Sequence, residues 1–159
     1  MQSLLGSLHV VKGIAPQDVN GSAVSGDYIS LKDYQDVLIV INLKGLAGAM
    51  ACTLTQATAV AGTGAKTLGF DHHYISGAND DTYVKTTVSS DTFNVASTDD
   101  NMTILIPVLA ENLDVDNEFD CLRVNFADPG ASNFVAVDYI LGNGAYNSDP
   151  ASRVSAITD

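Results

Sequence analysis

Apolar residues along this chain fall in short runs, rich in β-branched side chains and separated by Gly, Asn, Asp and Ser, and no long segment repeats with helical period. The clearest runs cover residues 35–43, 50–56, 102–108, 119–126 and 134–141. Such spacing predicts strands of an all-β sandwich or barrel. Two strands alternate clearly. Leu122, Val124 and Phe126 form one inward set and Val135, Val137, Tyr139 and Leu141 another, with Cys121, Arg123 and Asn125 directed oppositely. Cys52, Leu54 and Gln56 alternate with Thr53 and Thr55, while Leu68 with Phe70 and Phe93 with Val95 suit shorter strands. The run Val37-Leu38-Ile39-Val40-Ile41 is apolar at every position, which predicts a central strand covered on both faces or buried at a subunit contact. Val37, Ile39 and Ile41 are therefore candidate interface residues.

The pattern divides the chain into three parts: residues 1–27, 28–145 and 146–159. The first mixes small, polar and apolar residues, with breaks at Pro16 and Asn20-Gly21, and suits an extended arm or edge strand. It is nearly uncharged, so Leu4, Leu5, Leu8, Val10 and Val11 are candidates for contact with a partner, by adding a strand to a neighbour's sheet edge. The middle part holds a single β-sandwich of about eight or nine strands, near the count of a jelly roll. Only 108–113 permits a helical turn, as a connector. The last part is small and polar and predicts a tail that stays loose unless a neighbour holds it.

A chain of 159 residues can bury a self-sufficient core without staples. Its two cysteines, Cys52 and Cys121, sit in strand-like runs with no CxxC spacing, which favours buried free thiols over a disulfide or zinc site. Residues 1–11 lack a basic, apolar leader, and no segment approaches the roughly 20 apolar residues of a spanning helix. The expectation is a soluble protein made in a cytosol, with no membrane partner. Nineteen acids against seven bases give a net charge of −12, which opposes direct contact with nucleic acid and otherwise serves solubility.

No residue group completes a catalytic, cofactor or metal motif. Asp71-His72-His73 would need further aspartates to hold two cations, and adjacent histidines on a strand face opposite ways, so both are read as surface loop residues. Gly62-Thr63-Gly64-Ala65-Lys66-Thr67 lacks the glycine spacing of a phosphate loop. The segment from Asp114 begins like a calcium loop, yet Phe119 stands at its sixth position and Asn125 at its twelfth, where Gly and Glu are required. No Gly-x-Ser-x-Gly elbow is present, and the remaining histidine is His9. The expectation is a protein that is not an enzyme, with no catalytic residues, cofactor or metal.

The segment 104–141, with Leu109-Ala110-Glu111-Asn112-Leu113-Asp114, Phe119-Asp120-Cys121-Leu122-Arg123-Val124 and Ala136-Val137-Asp138-Tyr139-Ile140-Leu141, resembles small virion structural proteins of tailed bacteriophages. Gly26-Asp27-Tyr28-Ile29-Ser30-Leu31-Lys32-Asp33-Tyr34 belongs to the same pattern, which covers residues 24–145. The resemblance implies an auxiliary head protein of the decoration or cement type, synthesised in a host bacterium's cytoplasm and placed on the outer surface of the capsid. Its implied partners are the major capsid protein and itself, as a homotrimer. The alternative is a tail or neck component, or a β module that binds carbohydrate on the host surface.

Overall fold

The structure is a computed structural model, and it describes residues 4–144 and 150–158. Twelve strands run β1 (His9–Asp18), β2 (Val24–Ser25), β3 (Ile29–Ser30), β4 (Asp36–Lys44), β5 (Met50–Ala57), β6 (Lys66–Leu68), β7 (His72–Ser76), β8 (Tyr83–Thr87), β9 (Thr92–Val95), β10 (Thr103–Leu109), β11 (Cys121–Phe126) and β12 (Phe134–Gly142). Among the described residues helix is limited to one turn, α1 (Leu4–Ser7), and to 3-10 turns at Ala110–Asn112, Val115–Asn117 and Pro150–Ser152.

All strand pairings are antiparallel, in two sheets. The first is ordered β1-β12-β4-β10-β7-β8; the second is ordered β2-β11-β5-β6, with β3 also on β11 and β9 also on β5. The pairs β1·β12, β2·β11, β4·β10 and β5·β9 are nested in sequence, as when one long hairpin is rolled up. That connectivity is the expected jelly roll, extended at one side by the β7–β8 hairpin. Alternation explains why the sheets meet: Val37, Ile39, Ile41, Ile104, Ile106, Val137 and Leu141 from the first sheet, and Cys52, Leu54, Leu122, Val124 and Phe126 from the second, join one buried cluster. Both cysteines are buried and neither forms a disulfide among the described residues, and burial pushes the pKa of the Cys52 thiol far above its ordinary range.

One side chain spans the sandwich. Tyr139 projects from β12, and its Oη accepts a hydrogen bond from the Val124 N–H on β11 at 3.0 Å. That N–H faces the interval between β2 and β3, where no ladder partner stands; the Val124 carbonyl on the same side accepts from Gly26 N–H at 2.9 Å. Two glycines make room for the ring. A Cβ on Gly13 would lie 2.5 Å from Tyr139 Cε2, and one on Gly26 would lie 2.6 Å from its Oη.

Of the two readings of the N-terminal segment, residues 9–18 take the edge strand: β1 ends the first sheet, pairs along β12 from His9 to Asp18 and buries Val11 and Ile14, with Val19 buried just beyond. Two expectations need correction. The described part of the expected tail is not loose: Ala156 is buried, its carbonyl accepts from Ser30 N–H at 2.8 Å, and the Arg153 guanidinium donates to the carbonyls of Gly6 and Leu8. Residues 145–149 and 159 lie outside the described residues. Finally, His72 and His73 belong to strand β7 and not to a surface loop.

Candidate interaction surface

Since the strands alternate, each sheet also has an outward face, and the two outward faces differ in chemistry. On the first sheet the register lines up Val10, Ile140, Leu38 and Pro107 in one row across four strands. The next row runs Lys12, Asp138, Val40, Leu105, Tyr74 and Lys85. Leu38, Val40, Leu105 and Ile140 are half-buried against each other, whereas Val10 (58% exposed), Leu109 (46%) and Phe134 (49%) stand out at the periphery. Pro107 is tolerated there because pairing of β10 with β7 is confined to Ile104 and Leu105, so its missing N–H interrupts no ladder.

The outward face of the second sheet is polar. Register places Ser25, Asn125, Thr53 and Thr92 in one row and Arg123, Thr55 and Thr67 in the next. These side chains bind one another: Asn125 Nδ2 donates to Thr55 Oγ1 at 3.2 Å, Tyr28 Oη lies 3.1 Å from the same oxygen, and the Arg123 guanidinium sits 4.5 Å from the Tyr28 ring centre. One face thus ties several of its polar side chains together, with the buried Arg123 Nε left without a hydrogen-bond partner among the described residues, and the other leaves contiguous apolar surface, the usual mark of a protein contact.

Charge follows the same division. Lys12, Lys44 and Lys85 stand on the outward face of the first sheet against Asp18, Asp36 and Asp138, so the charges of this face balance in a chain of net charge −12. The acids gather in connections, as at Asp80-Asp81, Asp99-Asp100 and the segment from Asp114 to Asp120. In that segment Lys66 pairs with Asp114, which also accepts from Asn117 Nδ2; the Lys66 contact first, then Asn117, holds the Asp114 carboxyl below its ordinary range. Among the described residues no group of His, Cys, Asp and Glu is disposed to hold a metal ion.

The candidate contact residues are distributed by this geometry. Val10 lies on the outward apolar face and Leu8 is half-buried at its edge, while Val11 points into the core. Val37, Ile39 and Ile41 are at most 1% exposed, so they are interior residues of the monomer and not contact residues; their neighbours Leu38 and Val40 face outward instead. The backbone of Leu4 and Leu5 lies in α1, and their side chains fall outside the described residues. Leu105, Pro107 and Ile140 complete the surface and were missed. A signal existed, since alternate positions of β4, β10 and β12 are apolar on both faces.

His73 is buried, stacks on Phe93 with ring centres 4.3 Å apart, and among the described residues has no partner for its Nδ1. Burial, more than the opposing pull of Asp99, lowers its pKa from 6.5, and burial followed by Arg153 lowers that of His9. Both imidazoles resist protonation in the fold, whereas the unfolded chain takes up protons near 6.5. The unfolded state therefore binds more protons below that value, and stability falls as pH is lowered from about 7 to about 5. Thermal unfolding across that interval should show the decline, and His73→Phe should flatten it.

No family model matches the chain, and no curated protein matches it. Among solved structures it is similar to the SPBc2 prophage-derived protein YomS at 6% sequence identity, over 86% of this chain and 93% of that chain, with a TM-score of 0.40.

Proposed function

We propose that this chain is a non-enzymatic structural subunit of a bacteriophage particle, which decorates the capsid from outside by laying the outward face of its first sheet on the major capsid protein. The observation that carries this reading is the difference between the two outward faces: Val10, Leu38, Leu105 and Ile140 leave apolar surface on one, while Tyr28, Thr55 and Asn125 on the other are tied to one another. A rigid jelly roll suits such a role, because its register fixes those side chains as a preformed patch that needs little ordering on contact. The acidic connections then remain in water, where like charge discourages non-specific association. The resemblance of residues 24–145 to virion structural proteins supplies the partner. Among the described residues Tyr28, Tyr34 and Tyr139 are engaged within the domain, which leaves Tyr74 and Tyr83 as the tyrosines open to the carbohydrate contact of the alternative reading.

Binding of purified protein to capsids stripped of it tests the proposal. A double substitution Val10→Glu with Leu105→Glu should weaken attachment by about thirtyfold or more, equivalent to about 2 kcal/mol. Thr53→Glu, on the opposite face, should leave attachment near the unsubstituted value. Equal loss from both variants, or from neither, would remove this face from the account.

A further inference from the structure

The two edges of the first sheet are finished differently. Strand β1 is broken by register shifts between Lys12 and Ile14 and again before Gln17, and it carries Pro16, devices that prevent pairing with another chain. Strand β8 has none of these. It pairs with β7 in unbroken register from His72·Thr87 to Ser76·Tyr83, contains no proline, and all five of its residues are exposed. Val84 is 66% exposed and Tyr83 42%, so apolar surface accompanies the open backbone edge.

We propose that β8 is a self-association edge, and that it pairs antiparallel with β8 of a second copy about a two-fold axis at Val84. This register makes the strand complementary to itself. Val84 meets the second copy's Val84, Tyr83 meets its Lys85, and Thr86 meets its Thr82, which brings together an apolar pair, a cation over an aromatic ring and a hydroxyl pair. Charge does not oppose the pairing. The diagonal neighbours of each Lys85 are the other copy's Asp81 and Lys85, so the attraction to Asp81 offsets the repulsion between the two lysines. Among the described residues β8 is exposed on both faces and pairs on one side only, with β7, so the product is one sheet continuous across two jelly rolls. The contact is isologous, so association ends at two copies and differs from the trimer expected from the sequence.

Sedimentation of the full chain at tens of micromolar tests this directly. The unsubstituted protein should be a dimer, and Val84→Lys and Val84→Glu should each be monomers that still unfold cooperatively, with midpoints independent of protein concentration, because each places like charges opposite one another. Mixing the two variants should restore a dimer containing one of each. A monomer or trimer for the unsubstituted protein, a persistent dimer in either variant, or failure of the mixture to associate would overturn the proposal.

Discussion

Deleting residues 1–14 is expected to prevent stable folding. The deletion removes most of β1, including Val11 and Ile14, which are 8% and 3% exposed in the core. Burial of two such side chains contributes roughly 3–6 kcal/mol, a large share of the roughly 5–15 kcal/mol that typically separates folded from unfolded domains. The ladder of β1 with β12 is lost too, which turns β12 into a raw edge beside Tyr139. Circular dichroism and thermal unfolding of the truncated chain should show no cooperative transition at ordinary temperature. A well-folded truncated domain would mean that β1 is dispensable and that an arm is the better description.

Tyr139 carries the second large effect. Replacement by Ala removes a ring that fills the space above Gly13 and Gly26, at a cost of about 3–5 kcal/mol. Replacement by Phe keeps the ring but leaves the Val124 N–H without its 3.0 Å acceptor, at a cost of about 1–3 kcal/mol. Gly13→Ala should also destabilise strongly in the parent, and much less once Tyr139 is Ala, because the new methyl then enters vacated space. Chemical denaturation of the single and double variants measures this coupling. Additive losses would show that Gly13 and Tyr139 do not share one packing site.

The inward set of β12 and the alternation of β11 and β5 were legible because each is a long strand with one face in the core. The role of Tyr139 was not. Periodicity places the side chain inward, but the unpaired N–H opposite arises from the interval between β2 and β3, a feature of long-range pairing that local pattern does not encode. The same limit misplaced the candidate contact residues. In the run from Val37 to Ile41 every residue is apolar, so the sequence offers no phase, and only the register with β10 and β12 shows that Leu38 and Val40 face out. His73 was misread for a related reason: the short β7 lies between Gly69 and Gly77, where turn residues mask a strand, and its stacking partner Phe93 is distant in sequence. Residues 1–27 were ambiguous because Pro16 and the shifts near Gly13 erase alternation in an edge strand.

The central claim concerns which side of the jelly roll meets a particle. Electron cryo-microscopy of purified phage particles carrying this chain tests it most directly. The account predicts a two-sheet density on the outside of the capsid, with the surface of Val10, Leu38, Leu105 and Ile140 against the major capsid protein and the surface of Thr53, Thr55 and Asn125 toward solvent. Density confined to the neck or tail, or a subunit on the capsid with the threonine-rich face against the shell, would contradict it.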